Sequence, residues 1–171
     1  MKIDQISRQF AVHLGVTGPL VGHVKADARL RGMMVFELDL SGLPDVTALC
    51  QYLESEFMYP YRTVGLDAAI DLISDLQWFG CTHGYLLVVL GAADSSPVAC
   101  DFASILPGIL DRWRTQEVPF TVVIDGKGEC LQAAIAASNA TLEEQGRRPW
   151  AQPGIGPVDV VVHPNGGEPN G

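Results

Sequence analysis

YLLVVL, from Tyr85 to Leu90, is an uninterrupted apolar run of six residues, and it decides the fold class. A run of this length and composition is typical of a strand that is covered on both faces of its sheet. Helices are the usual cover for such a strand, so strands and helices should alternate on either side of it. We therefore expect an α/β fold.

Two further segments have the composition of strands, namely MMVFELDL at residues 33–40 and FTVVI at residues 120–124. Apolar residues at intervals of three and four predict the intervening helices. The predicted helices cover roughly residues 45–57, 63–78 and 102–113. The pattern leaves open whether Pro107 begins, bends or divides the last of these helices. The resulting order, β-α-α-β-α-β, predicts a small parallel sheet of three strands flanked by helices.

The rest of the chain is interpreted as two extensions of an α/β domain at residues 35–125. Residues 1–34 are rich in glycine and carry five basic and two acidic residues. Ile6, Phe10 and Leu14 recur there at helical spacing, which predicts a short amphipathic helix. Residues 126–171 begin with a helix-prone segment and end in a tail rich in Pro and Gly. The tail's Val158–Val162 run is compatible with an edge strand or with a surface segment.

Charge and composition narrow the classes of partner. The 20 acidic residues outnumber the 11 basic ones, for a net charge of -9, which argues against a nucleic-acid backbone or an anionic membrane as the partner. A cationic protein partner suits the chain better. The N-terminus lacks the apolar segment of a secretory signal, and no apolar run reaches the roughly 20 residues of a membrane span. We therefore expect a cytoplasmic protein.

The sequence contains no motif for binding a cofactor or a metal. The four cysteines are 31, 19 and 30 positions apart, so they form no CxxC pair, and we expect buried free thiols. The four histidines fall in four different segments without metal-ligand spacing, and structural roles are expected for them. The turn at residues 125–128 (DGKG) lacks the spacing of a phosphate loop. We expect no cofactor, no metal and no catalytic residue.

The clearest functional pattern is a series of aspartates in the second predicted helix. Asp67, Asp71 and Asp75 are four residues apart, so their carboxylates should project from nearly the same face. Like charges at this spacing cost a helix a few tenths of a kcal/mol per pair. No Lys or Arg occurs between Arg62 and Arg112, which predicts an uncompensated acidic surface. In the alternative interpretation, Asp67 complements the positive end of the helix and Asp75 is merely solvated.

The residues around these aspartates resemble the barstar family of ribonuclease inhibitors. That family places a tyrosine-bearing loop before a helix with a Leu-Asp-Ala then Asp signature. Here the tyrosine loop (residues 58–62, MYPYR) contains Tyr61 and precedes the segment LDAAID at residues 66–71. The order of elements agrees as well, over about residues 35–125. The resemblance implies a barstar-like three-stranded sheet, and contact with a ribonuclease through Tyr61, Asp67 and Asp71.

Two positions depart from the family pattern. Ile70 stands where the family has an aromatic residue before the key aspartate. The acidic residue of the family's last helix aligns near Asp111 or Arg112. The predicted partner-binding residues are therefore Tyr61, Asp67, Ile70, Asp71, Asp75 and Asp111.

The function that the resemblance implies is that of an immunity protein, which occludes the active site of a cognate basic ribonuclease toxin. Its carboxylates would take the place of the substrate's phosphate groups among the cationic residues of the enzyme. Two alternatives stay open. One is a small α/β enzyme or ligand-binding module that uses the ends of the strands. The other is an acidic regulatory adaptor for a protein that is not a nuclease.

Overall fold

The computed structural model describes residues 10–81, 83–92, 96–149 and 151–164, which contain five strands and five α-helices. The strands are β1 (Ala11–Leu14), β2 (Met34–Asp39), β3 (Tyr85–Leu90), β4 (Phe120–Ile124) and β5 (Asp159–Val162). The helices are α1 (Pro19–Leu30), α2 (Val46–Glu56), α3 (Leu66–Ile73), α4 (Pro97–Thr115) and α5 (Glu129–Gly146). A short 3-10 turn at Gln77–Phe79 follows α3.

The strands form one parallel sheet in the order β2-β3-β4-β1-β5. The α/β class with a parallel sheet is confirmed. The prediction of three strands is wrong, because the sheet has five, and the element order differs accordingly. The predicted β-α-α-β-α-β order corresponds to β2 through β4, but β1-α1 precedes it and α5-β5 follows it.

The first strand replaces the short amphipathic helix that was predicted from Ile6, Phe10 and Leu14. Ala11–Leu14 is a fully buried strand between β4 and β5, while Ile6 lies outside the described residues. Phe10 has a φ of 61° and Gly15 a φ of 76°, so a left-handed backbone bounds the strand at each end. The helix prediction was wrong because the strand is only four residues long. Phe10 precedes it and Leu14 ends it, so their spacing also fits a helical period.

The tail contributes the edge strand β5, which pairs with β1. Of the two outcomes that the Val158–Val162 run left open, the structure has the edge strand. The pairing also brings together His13 and His163, which are both buried, with their rings stacked and 3.1 Å between Nδ1 of His13 and Nε2 of His163. Burial lowers the pKa of His163. The division of the chain at residues 34 and 126 stays a prediction.

Helices cover both faces of the sheet. The side chains of Leu86 and Val88 pack with α1, whereas Leu87 and Val89, which alternate with them, belong to the larger core on the opposite face. The larger core also holds the apolar side chains of α2, α3, α4 and α5. The uninterrupted apolar run of β3 is therefore explained by burial on both faces.

Two helices differ from expectation in their limits. The helix predicted over residues 63–78 is shorter, because α3 begins after Gly65, whose φ is 85°, and ends before Ser74. Thr63 lies before the helix and does not cap it. In α4, Pro107 lies inside a continuous helix that Ser96 caps through the backbone N–H of Ala99.

Two of the four cysteines are not free. Cys100 of α4 and Cys130 of α5 form a disulfide, with their Cα atoms 5.9 Å apart. Cys50 is a buried free thiol and Cys81 a half-buried one, so the prediction of free thiols is wrong for the first pair. The two helices pack side by side, which places residues 30 positions apart in contact, and no sequence spacing reveals that.

Within the described residues, no helix is both long enough and apolar enough to cross a lipid bilayer.

Candidate functional site

The tyrosine loop begins where α2 ends. The backbone N–H groups of Met58 and Tyr59 donate to the carbonyls of Ser55 and Glu54, at 3.2 and 2.9 Å, which is the pattern of a Schellman motif. Met58 takes the left-handed position of that motif, with a φ of 48°. Glycine is the usual residue there, so this loop holds an exposed methionine in a conformation that is costly for a side chain.

The base of the loop is fixed by aromatic packing. Tyr59 stacks on Phe57 and contacts the edge of Trp78, with ring centroids 5.7 and 5.9 Å apart. The indole N–H of Trp78 donates to the carbonyl of Phe57 at 3.0 Å. The Tyr59 hydroxyl is buried and has no hydrogen-bond partner among the described residues, and burial raises its pKa. Tyr59 is thus the inward-facing tyrosine of the loop.

The tyrosine loop and the segment after it present apolar side chains to solvent. Tyr61 is 72% exposed and Val64 is 90% exposed, while Met58 is 66% exposed. Thr63, which lies between Tyr61 and α3, is buried, and both its backbone N–H and its hydroxyl donate to the Glu54 carboxylate. These two bonds lower the pKa of Glu54. The loop therefore presents apolar side chains to solvent from an anchored backbone.

Helix α3 is attached to the core through its apolar face. Ala69 and Ile73 are fully buried, and Ile70 is half-buried against the same core. The buried Trp113 of α4 donates its indole N–H to the carbonyl of Ile73 at 2.9 Å. This arrangement turns the opposite face of α3 toward solvent. Ile70 accordingly contributes more to packing than to the surface.

All three aspartates of the series are exposed, but they do not form one uncompensated helical face. Asp67 lies in the first turn of α3, and Asp75 lies just beyond its end. Asp71 forms an ion pair with Arg112 of α4. The prediction of an uncompensated series is therefore wrong at Asp71. Arg112 follows Asp71 by 41 residues, so only the packing of α4 beside α3 brings the charges together.

Asp111 lies away from this surface. Its side chain is 11% exposed, and its carboxylate accepts from the Arg114 guanidinium and, at 3.3 Å, from the backbone N–H of Gly156. Arg114 also donates to the carbonyls of Gly156 and Pro157. These contacts tie α4 to the segment before β5. Asp111 therefore has a structural role in the free chain, and the structure does not bring it together with Asp67 and Asp71.

A polar cleft of about 500 Å³ lies beside Asp71, between the end of α3 and the last turns of α4. Asp71, Ser74, Asp75 and Arg112 line it, together with Gln116. Sequence patterns did not identify Ser74 or Arg112 as site residues. The signals for Arg112 were its position at the end of the long stretch without cations and its alignment near the acidic residue of the family's last helix.

A second cleft, of about 610 Å³, lies between α2 and the segment that joins the tyrosine loop to α3. Its lining includes Cys50, Glu54, Arg62 and Val64. Burial raises the pKa of the Cys50 thiol, which disfavours the nucleophilic thiolate.

The carboxyl ends of the strands, where α/β proteins commonly bind ligands, also border a cleft. Among the described residues that line it, the one carboxylate is that of Asp125, which accepts from the backbone N–H groups of Gly91 and Ala92 at 2.8 and 3.0 Å. That carboxylate therefore joins β3 to β4. No group of three or more His, Cys, Asp or Glu side chains suited to a metal occurs in the described part of the chain.

The segment that contains the tyrosine loop and α3 matches a known protein family. The sequence model of the family described as barstar (barnase inhibitor) matches residues 33–125, from β2 to the end of β4. This match covers more than half of the chain, and it includes the tyrosine loop and α3. A search of curated proteins gives no match.

Among solved structures, the Aeropyrum pernix ORC2 protein, in its ADPNP-ADP complexes, resembles this chain with a TM-score of 0.43 and 15% sequence identity. The similarity covers 90% of this chain, which spans only 41% of that protein. The family match rests instead on the sequence from β2 to β4, including the exposed loop and acidic helix described above. By that match the chain belongs to the barstar (barnase inhibitor) family.

Proposed function

We propose that this chain is an immunity protein that inhibits a cognate basic ribonuclease toxin by inserting the tyrosine loop and α3 into its active site. One observation carries the proposal. The segment matched to an inhibitor family presents, within 15 residues, an exposed tyrosine and three exposed carboxylates on an anchored backbone. The enzyme alternative has no comparable constellation among the described residues. The adaptor alternative would use the same acidic surface and is separated from the inhibitor only by the identity of its partner.

Electrostatics supports a basic partner. The chain has a net charge of -9, and Asp67 and Asp71 of α3 and Asp75 just beyond its end are all exposed. Complementary charge accelerates encounter and makes association sensitive to salt. A ribonuclease binds the phosphates of its substrate with cationic side chains, and carboxylates form strong charge-assisted bonds with such groups. The aspartates would thus substitute for substrate phosphates.

Apolar contacts would supply much of the remaining affinity. Tyr61, Val64 and Met58 are exposed, and tyrosine is enriched among the residues that dominate binding energy at interfaces. Because Thr63 and the Schellman motif already hold the loop, less conformational entropy is lost when it binds. We place the action of this inhibitor in the cytoplasm of the cell that makes the toxin.

Inhibition of RNA hydrolysis tests the proposal. We would titrate the purified chain into two basic ribonucleases, barnase and the ribonuclease encoded nearest to this gene, and follow cleavage of a fluorogenic RNA. The proposal expects inhibition that is complete at a 1:1 molar ratio with one of them and that weakens as salt is raised from about 0.05 to 0.5 M. Full RNA cleavage in the presence of excess chain would reject it for both enzymes.

A further inference from the structure

The disulfide between Cys100 and Cys130 joins the first turns of two helices. Cys100 closes the first turn of α4, where its backbone N–H donates to the carbonyl of Ser96 at 3.2 Å. Cys130 is the second residue of α5, and Gly128, which precedes that helix, has no side chain to accept from its first N–H groups. The amino ends of both helices, which carry partial positive charge, therefore meet at this bond.

This placement favours the reduced state of the pair. Reduction creates thiolate anions, and the positive end of a helix attracts an anion in its first turn, which is why redox-active cysteines commonly lie there. The exposed carboxylate of Glu129 opposes the attraction at Cys130 in part. A disulfide whose reduced form is stabilised in this way is easier to reduce than an ordinary structural one.

The two cysteines differ in their exposure to solvent. Cys130 is exposed, whereas Cys100 is only 8% exposed and belongs to the larger core. Thiol–disulfide exchange needs access of the attacking thiolate to one of the two sulfurs. A reductant should therefore attack the sulfur of Cys130.

Helix α5 is held to the rest of the fold by few apolar side chains. Its buried residues are Leu131, Ile135 and Leu142, whereas most residues of α4 are buried. Farther along α5, the side-chain amide of Asn139 donates to the carbonyl of Val158 at 3.1 Å, and its oxygen accepts from the N–H of Val158 at 2.9 Å. Because Val158 precedes β5, loosening of α5 should extend to β5 and leave α4 in place.

We propose that the Cys100–Cys130 bond is a reversible redox switch, which fastens the amino end of α5 to α4 when oxidised and loosens α5 and β5 when a thiol reduces it. A first thiolate forms a mixed disulfide with Cys130 and releases Cys100 as a thiolate. A second thiolate attacks the reductant's sulfur in that mixed disulfide and releases Cys130. Two thiols thereby become one disulfide, and the protein gains two electrons.

The consequence of this switch lies in α5 and β5, which the family match does not include, so it is independent of the proposed function. Cellular thiols keep most cytoplasmic cysteines reduced, and disulfides that do form in that compartment are commonly transient or redox-sensing. A bond that is easily reduced and controls one helix and one strand suits such a role.

Hydrogen exchange in the oxidised and the reduced full chain tests the switch. The native chain would be treated with reduced glutathione in the absence of denaturant, and free thiols would be mapped by alkylation and mass spectrometry. We expect complete reduction of this bond, and its return when oxidised glutathione replaces the thiol. The backbone amides of α5 and β5 should exchange at least about ten-fold faster in the reduced chain, while those of β3 and β4 keep their rates.

Single replacements test which sulfur is attacked. Cys100→Ser leaves the exposed Cys130, which should form a mixed disulfide with oxidised glutathione at least about ten-fold faster than the buried Cys100 does in Cys130→Ser. Cys81→Ser removes a half-buried free thiol outside the bond. This matched control should retain the disulfide and its reduction by glutathione.

The opposite results would overturn the switch. Resistance of the bond to glutathione until denaturant is added would identify an ordinary structural disulfide. Equal exchange rates of the α5 and β5 amides in the two redox states, or faster exchange throughout the sheet, would reject the selective loosening of α5 and β5. Equal rates of mixed-disulfide formation in the Cys100 and Cys130 variants would reject attack at Cys130.

Discussion

Glu54 of α2 accepts hydrogen bonds from both the backbone N–H and the hydroxyl of Thr63, so one carboxylate fastens the segment between the tyrosine loop and α3. The two residues are nine positions apart, and the loop between them carries the exposed Tyr61. Loss of this contact should therefore affect both the stability of the domain and the position of the proposed binding surface. Because the acceptor is a carboxylate, the contact also depends on pH.

Acidification should weaken the hydrogen bonds that Thr63 donates to Glu54. The Thr63 bonds lower the pKa of Glu54 below its ordinary value of 4.5, so their stabilising effect is fully present above pH 4.5 and is lost as the pH falls through the lowered pKa. We expect faster hydrogen exchange, relative to the intrinsic rate, at the Thr63 amide in that acidic range. Glu54→Gln should show the faster exchange already at neutral pH, whereas Glu56→Gln, an exposed change on the same helix, should not. Equal protection in both variants would contradict this role.

The disulfide between Cys100 and Cys130 should stabilise the packing of α4 on α5. Closing a loop of this size is worth up to about 3.5 kcal/mol through the unfolded state. We therefore expect a reducing agent to lower the melting temperature of the chain and to have little effect on Cys130→Ala. Cys81→Ser is the control for cysteine replacement outside the disulfide. A melting temperature that is independent of reducing agent would show that the bond does not form in solution.

Trp113 should hold α3 in position. Trp113→Phe keeps most of the apolar volume but removes the donor to the carbonyl of Ile73, leaving a buried acceptor unsatisfied at a cost of roughly 1–3 kcal/mol. We expect lower stability in denaturant titrations, and NMR shift changes concentrated in α3. If the shifts changed around β4 and left α3 unaffected, the indole bond would have no positioning role.

Tyr61 should matter for binding and not for folding. Because its side chain is 72% exposed, Tyr61→Ala should change the free energy of unfolding by less than about 0.5 kcal/mol. Loss of a tyrosine anchor at an interface commonly costs about 2 kcal/mol, so we expect roughly 30-fold weaker inhibition. Leu30→Ala removes an apolar side chain of α1 that is 88% exposed, and it should not affect inhibition. Similar inhibition by the two variants would remove Tyr61 from the interface.

Much of the sheet was predictable because β2, β3 and β4 have strong local patterns. The continuous apolar run of β3 follows from burial on both faces, and the alternation in β2 follows from its place at the sheet edge. β1 was not predictable in the same way. It is only four residues long, and Phe10 and Leu14 at its limits also fit a helical period.

The site was predictable only as far as local sequence determines it. The exposure of Asp67 and Asp71 follows from the burial of the opposite, apolar face of α3, on which Ala69 and Ile73 lie. The Asp71–Arg112 pair and the Cys100–Cys130 disulfide depend on how α4 packs against α3 and α5. Contacts between residues 30 or 41 positions apart carry no signal in a single sequence.

The most direct measurement compares two charge reversals in the same ribonuclease inhibition assay. Asp71→Lys places a cation where the account requires a phosphate-like anion, and Glu144→Lys makes the same change on the exposed surface of α5. We expect both variants to fold, with Asp71→Lys losing about 3 kcal/mol or more of binding free energy, over a hundredfold, and Glu144→Lys staying within a few-fold of the unmodified chain. Equal inhibition by the two variants would contradict the claim that the acidic face of α3 is the inhibitory surface.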